Sequence, residues 1–492
     1  MKLWIYLIVL ASAIFTGVET RAQFTELAKD AKPEVKPQYQ SLKLHAQKAP
    51  VPALRYRLDP EMRNQESGNA LPVYYRAWAP EWTLFKKEPD WDKKSEEWKD
   101  LPLEKIPDEI YNLRNARSLW ELDRGANRSY MDWEMIPSAK KDGIGLMIPD
   151  VQGFRGLSRM LGLRCRADLG AKDFPAAIKT LRTQITLGRH CAQGPTLIQA
   201  LVGIAICSEA SLRMQEAVSQ PGFPNLYWAL MALPAEPVDL RLSMDGEKLF
   251  IDSIFPGLRD MLYSGKLEPV GAAELGIMMD KMQQLATVSE TPGGQSAWEK
   301  WFGKSIMQVA WGSLAPDARQ KLEKFGLSRR DLGKLPDLQA VLLHEILLYD
   351  TASDEVGKWL NVPYSVSSKA LASIEENSIK VGGGNGLRAG FVGSVLLPAY
   401  QSILRAKNAH GRRFAALRVI EAIRLHAGEK NQWPASLEEI TAVPVPNDPT
   451  TGKPFQFKRE GEVIWLESTP QAGESQRSDL WKWRLELAPI AK

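Results

Sequence analysis

The chain has 492 residues, 44% of them hydrophobic and 25% charged, with 36 Gly and 32 Pro. That is globular composition, enough for two to four folding units, and it excludes a disordered, collagen-like or polytopic membrane protein. Lys and Arg number 63 against 59 Asp and Glu, too even a balance to point to nucleic acid, and five His with three Cys leave little material for a metal cluster.

Met1-Lys2 is a short basic start, and Leu3 to Val18 carries no charge. The stretch is near the length of an export-signal core and shorter than a spanning helix, so 1–22 is expected to be a signal peptide. Small-x-small patterns occur at Ala11-Ser12-Ala13 and Thr20-Arg21-Ala22, and cleavage is expected after Ala22. An uncleaved N-terminal anchor is the alternative. The mature chain is expected to be periplasmic or extracellular, with no stable transmembrane span.

Residues 23–55 read as a polar lead-in punctuated by Pro33, Pro37, Pro50 and Pro52. A Trp-rich region of short helices follows over 56–135, with Asn69 expected to cap a helix running through Tyr74, Tyr75, Ala77 and Trp78. Residues 136–235 read as one helical region, clearest over 149–234. Leu157, Met160, Leu161 and Leu163 form one apolar stripe, and after the break at Gly170–Asp173 come Phe174, Ala177, Ile178, Leu181 and Ile185. The next helix, Leu197 to Val218, is apolar nearly all round and so is expected to be central. Residues 236–386 stay helical with breaks at Pro256, Pro269, Pro292-Gly293-Gly294, Pro316 and Pro336, and they end in a Gly-rich loop, Lys380–Gly386. Over 387–475 one helix is predicted across 399–429, its apolar face made by Phe414, Leu417, Ile420, Ile423 and Ala427. Trp433-Pro434 stops it, and Ser436 with Glu439 predicts a capping box for a short helix. Asp448–Pro454 is a turn, and 454–458 with 462–467 form a hairpin whose apolar face is expected from Phe455, Phe457, Val463 and Trp465. Residues 476–492 are a tail. The fold class expected is mainly α, an irregular helical bundle or short solenoid of helix pairs, with a small C-terminal α+β unit of a long helix on an antiparallel hairpin.

Two segments resemble known families. The run Gly170–Ile178, with its polar break, aromatic, following Ala and large apolar residue, resembles the turn and second helix of a tetratricopeptide repeat; Arg164 and Cys165 stand where that repeat has Leu and Gly. The order helix, Trp433-Pro434 break, Asp448-Pro449-Thr450-Thr451-Gly452-Lys453-Pro454-Phe455 turn and hairpin resembles type IV pilin and type II secretion pseudopilin subunits. Val395 stands where those subunits have a Glu, so the resemblance implies a helix-plus-sheet shape and not filament assembly. The combination resembles a group of uncharacterised exported bacterial proteins, which implies no activity.

The search for chemistry finds no catalytic motif. His344-Glu345 is followed by Leu348 where a zinc-binding HExxH helix needs its second His, and Gly382-Gly383-Gly384-Asn385-Gly386 lacks the Lys-Ser/Thr of a phosphate loop. His190-Cys191 are adjacent, which turns their side chains to different sides of a helix. Cys165, Cys191 and Cys207 are expected to be buried small hydrophobes, one disulfide with a free thiol being the alternative. Asp448 is expected to start its turn without a calcium ion. No cofactor and no metal site are expected. The compositional oddity is tryptophan: 16 in all. Trp78, Trp82, Trp91 and Trp98 are binding candidates, because flat rings with one N–H suit sugars and peptide grooves. The function expected is an exported non-catalytic helical scaffold or protein-interaction protein of the bacterial envelope, its partner another envelope protein. A protein that binds or cleaves envelope glycan through the Trp-rich region is the alternative, and an accessory subunit of a secretion or pilus-like system a second.

Overall fold

The computed structural model describes residues 38–78, 91–143, 146, 148–288, 307–379, 390–469 and 481–490. In chain order its elements begin with β1 (Gln38–Leu44), β2 (Glu66–Asn69), α1 (Leu71–Arg76), α2 (Trp91–Trp98), α3 (Asp108–Asn112), α4 (Arg117–Ala126), β3 (Arg128–Tyr130) and α5 (Ile136–Asp142). The helical centre follows: α6 (Pro149–Gly170), α7 (Phe174–Cys191), α8 (Leu197–Val218), α9 (Tyr227–Met231) and α10 (Arg241–Ile254). Then come α11 (Leu258–Ser264), α12 (Ala272–Val288), α13 (Met307–Phe325), α14 (Arg329–Leu332), α15 (Asp337–Gly357), α16 (Tyr364–Ile379) and the 41-residue α17 (Gly390–Lys430). Strands β4 (Gln456–Glu460), β5 (Val463–Glu467) and β6 (Trp481–Leu487) close the chain. The architecture is mainly α with a small C-terminal sheet, as the hydrophobic periodicity predicts.

Helices α6, α7 and α8 pack in sequence order. The turn between α6 and α7 works as its residues suggest: Lys172 takes φ +56°, and the Asp173 side chain accepts the Ala176 N–H at 3.2 Å to cap α7. Ala177, Leu181 and Ile185 are fully buried behind that cap. Helices α7 and α8 approach closely through Gly188 and Gly203; a Cβ on Gly203 would stand 2.5 Å from the Gly188 carbonyl oxygen. A capping box of Thr196 and Gln199 starts α8. It is long and apolar enough to cross a membrane, but 78% of its apolar window is buried inside the protein, so here it is a core helix. Cys165, Cys191 and Cys207 are all buried free thiols.

Helix α17, about 60 Å long at 1.5 Å per residue, runs through the main core. Phe414, Leu417, Ile420 and Ile423 are buried as predicted, but so are Arg412, Arg413, Arg418, Glu421 and Arg424. The expected one-sided stripe is therefore a helix enclosed on nearly every side over 403–427. Its charges are satisfied by segments remote in sequence. Arg424 donates to both Glu421 carboxylate oxygens at 2.9 Å, to the Phe223 carbonyl at 2.7 Å and to the His45 carbonyl at 3.1 Å. Asn225 donates to Glu421 at 2.7 Å. Arg412 donates to Asp448 at 3.0 Å with both side chains fully buried, so the Asp448 carboxylate ties its turn to α17.

The sheet has four strands in the order β1-β6-β5-β4. The predicted hairpin is β4–β5; β6 pairs antiparallel to β5, and β1 pairs parallel to β6 from Gln38↔Trp481 to Leu44↔Leu487. Residues read as lead-in and tail thus complete the sheet. Its buried face comes from Leu42, Leu44, Ile464, Leu466, Trp481, Trp483, Leu485 and Leu487. This corrects half of the expected face: Phe455 is buried and Phe457, opposite Leu466, packs against the core, but Val463 and Trp465 are half-buried and alternate along β5 with Ile464 and Leu466, which point inward. A one-residue slip moves every side chain of a strand to the other face. The Trp483 indole N–H donates to Gln215 of α8 at 3.3 Å, and Arg413 of α17 lies over Trp481 at 4.2 Å, so the sheet rests on both helices.

Two further helix expectations fail. Asn69 does accept the Leu71 N–H at 3.1 Å, but α1 ends at Arg76, before Trp78. Residues 435–440 form turns instead of the short helix expected after Ser436; the Glu439 carboxylate reaches back to the Ala435 N–H at 2.7 Å.

Candidate functional site

The predicted tryptophans do not gather into one surface. Trp78 is half-buried, 5.3 Å edge-on to Phe154, and sits so close over Gly153 that a Cβ there would meet the ring at 2.4 Å. Trp98 is half-buried against the same core, and its carbonyl accepts from Arg166. Trp91 begins α2, and Trp82 lies outside the described residues. Among the described tryptophans the ring most open to solvent is Trp120, 51% exposed, on α4.

Trp120 lines a solvent-open cleft of about 490 Å³ between the turn at Arg114–Ala116, the first turns of α4, and helices α6 and α7. Its floor is built from buried charge. Arg164 of α6 donates to Asp123 of α4 at 2.7 and 3.3 Å, to the Thr180 hydroxyl at 2.9 Å and to the Leu119 carbonyl at 3.3 Å. Thr183 donates to Asp123 at 2.7 Å, and the Lys179 ammonium lies 2.8 Å from its other oxygen. Thr180 passes the chain of hydrogen bonds on to Asp168 at 3.0 Å, where Arg114 donates at 2.7 Å while reaching Asp173 at 2.6 Å. Burial works against the Asp123 carboxylate, but Arg164 and Lys179 outweigh it and hold its pKa below the usual range. At Asp168 burial prevails over Arg114 and Thr180, and the pKa is raised.

The rim has the opposite character. Arg117 is exposed, and among the described residues no carboxylate pairs with it. Lys179 keeps 51% of its side chain in solvent, and Asn115 offers an exposed amide. Ala116 at the N-cap of α4 has no side chain to accept the first-turn N–H groups, which leaves the positive end of the helix dipole at the cleft mouth. Arg124 stands over the Trp120 ring at 5.0 Å. Each carboxylate of the floor is engaged by cations and hydroxyls, whereas cations, amide and indole face the opening. Such an arrangement can receive an anion.

The other groups considered for chemistry have structural partners. His190 exchanges a hydrogen bond with the Tyr74 hydroxyl at 2.8 Å, while the Cys191 thiol reaches the Gln199 carbonyl at 3.6 Å, so the adjacent pair turns apart. Burial pushes His190 down to about 3, pushes the Cys191 thiol up, and pushes Cys207 up to about 12. His410, also pushed down to about 3 by burial and by Arg413 and Arg418, bonds Ser208 at 3.1 Å. Among the described residues no group of three His, Cys, Asp or Glu could hold a metal ion.

The cleft was missed in the sequence because its charges are spread over residues 114–179. One signal was there: Arg164, the departure from the repeat-like pattern, is its floor. Comparison of the chain with protein-family models, curated proteins and solved structures finds no match.

Proposed function

We propose that the chain is an exported, non-catalytic helical scaffold of the bacterial envelope that binds a partner, foremost another envelope protein. The observation that carries this reading is the division of charge in the cleft: its carboxylates are engaged within the floor, Asp123 by Arg164 and Lys179, while Arg117, Asn115 and Trp120 face solvent. Arg and Trp are the residue types that dominate binding energy at interfaces. Residues 1–22 support export by their pattern alone. The glycan-binding alternative gains one specific observation, the exposed Trp120 ring, although this is not a tryptophan singled out for it. The accessory-subunit alternative gains none, because residues 403–427 of α17 are enclosed by their own chain and leave no helix face for a neighbouring subunit.

The test is photocrosslinking in the native host, with a photoreactive residue at Asn115 on the rim or at Val366, which is 65% exposed on α16. The reading expects a discrete envelope adduct from position 115 and none from 366. No adduct from 115, or the same adducts from both, contradicts it.

A further inference from the structure

Three different kinds of group converge in the cleft at Trp120. The indole is 51% exposed and lines the opening, with Arg124 stacked over the ring at 5.0 Å. A flat apolar ring of this kind suits the C–H face of a sugar, whose hydroxyls stay outward. Asn115 brings an exposed amide that both donates and accepts, which is what ring hydroxyls require. Arg117 brings a guanidinium with no described carboxylate partner, beside the uncapped first turn of the ten-residue α4. A forked guanidinium is the natural partner of a planar anion such as a carboxylate.

The floor explains why the anion must come from outside. Arg164 is spent on Asp123, Thr180 and the Leu119 carbonyl, and Arg114 on Asp168 and Asp173. Of the rim cations, Lys179 already pairs with Asp123 at 2.8 Å alongside Arg164, whereas Arg117 has no carboxylate partner among the described residues. The volume of about 490 Å³ lies within the range of pockets that hold small ligands, and the opening to solvent lets a longer chain continue outward.

We propose that this cleft binds a saccharide bearing a carboxylate, the sugar ring lying on Trp120, its carboxylate on Arg117, and its hydroxyls on Asn115. The proposal rests on the glycan-binding reading and names its ligand class.

The test is isothermal titration calorimetry of the full chain with trigalacturonate, with maltotriose as the neutral control and tetraglutamate and inorganic phosphate as other anions. Trigalacturonate should bind at one site and weaken by about tenfold or more in Arg117→Gln and in Trp120→Ala, the scale expected when a charge-assisted hydrogen bond or an aromatic stacking partner is removed from a site. Maltotriose should give no heat, and both variants should melt with the parent, since both side chains are exposed. Absence of trigalacturonate binding, or binding untouched by either substitution, overturns the proposal. Tetraglutamate or phosphate binding as tightly as trigalacturonate also overturns it, by showing a peptide site or a simple anion site. A protein adduct from position 115 without saccharide binding would sink this inference and leave the protein-interaction reading standing. Failure of both experiments would remove both.

Discussion

Arg424 ties α17 to two segments remote in sequence, and its replacement by Met tests how the fold is held. Arg424 and Glu421 are both fully buried, one turn apart on α17. The guanidinium spans four acceptors, the two Glu421 oxygens and the carbonyls of Phe223 and His45, while the Arg424 carbonyl accepts the Gln47 N–H at 3.0 Å. Met keeps most of the volume and removes every donor. Glu421 would then hold a buried carboxylate with Asn225 as its remaining side-chain partner, and burial already pushes its pKa up against the pull of Arg424. Breaking a buried pair by removing one partner costs about 3–5 kcal/mol, a large share of a typical domain's total stability. Pairing Arg424→Met with Glu421→Gln removes the stranded charge and retains an acceptor for Asn225, so the double variant should recover about half of that loss. Urea unfolding followed by far-UV circular dichroism and tryptophan fluorescence gives both numbers, and the cycle gives the coupling. An Arg424→Met protein within about 1 kcal/mol of the parent, or a double variant worse than the sum of the singles, would refute the reasoning.

Three further outcomes follow from burial and close approach. Glu247 of α10 is buried, accepts the Leu197 N–H at 2.8 Å, and is raised by burial from 4.5 to about 8. A raised folded pKa makes its stabilising contribution complete below pH 4.5 and lost as pH rises to 8, at up to about 1.4 kcal/mol per pH unit; Glu247→Gln should flatten that limb of a melting-temperature profile, and identical profiles would contradict it. His190 and His410 are depressed from 6.5 to about 3, so their contribution is complete above pH 6.5 and lost as pH falls toward 3. The double His190→Gln/His410→Gln variant should show a shallower acid limb in the same assay, whatever its stability at neutral pH. Gly203→Ala should cost about 1–3 kcal/mol, because its Cβ would meet the Gly188 carbonyl at 2.5 Å and Ala192 at 2.8 Å. Gly276→Ala on α12, with nothing within 4 Å, should instead stabilise by about 0.5–1 kcal/mol; thermal melting of the two separates them by sign.

What the sequence made legible was local. The Asp173 cap, the α6–α7 pair and the β4–β5 hairpin each rest on a few adjacent residues, and they form where periodicity and turn chemistry place them. What it hid was long-range. The seven residues of β1 and the seven of β6 carry alternation, but each gains its meaning from pairing across the full chain, Gln38 to Trp481. The inward face of β5 was misjudged because Val463 and Trp465 are as apolar as Ile464 and Leu466, and only the packed helices decide which pair turns inward. Arg412, Glu421 and Arg424 look like a solvated helix face until the segments at 45, 223–225 and 448 arrive to pair with them. The cleft was hidden for the same reason. Trp120 was one tryptophan among six between residues 78 and 133, and only the burial of Trp133 and the half-burial of Trp78 and Trp98 set it apart.

The central claim is that the cleft binds without reacting, and product analysis tests it most directly. The full chain is incubated overnight with trigalacturonate and with polysaccharide isolated from the native envelope, and the sugars are then resolved by mass spectrometry. Asp123 is the one carboxylate among the described residues that line the cleft, and Arg164 and Lys179 already hold it, whereas glycoside cleavage uses a pair of carboxyl groups. The account predicts that every oligosaccharide is recovered at its starting length. New reducing ends that appear with the parent and vanish with Asp123→Asn would contradict it and make the cleft an active site.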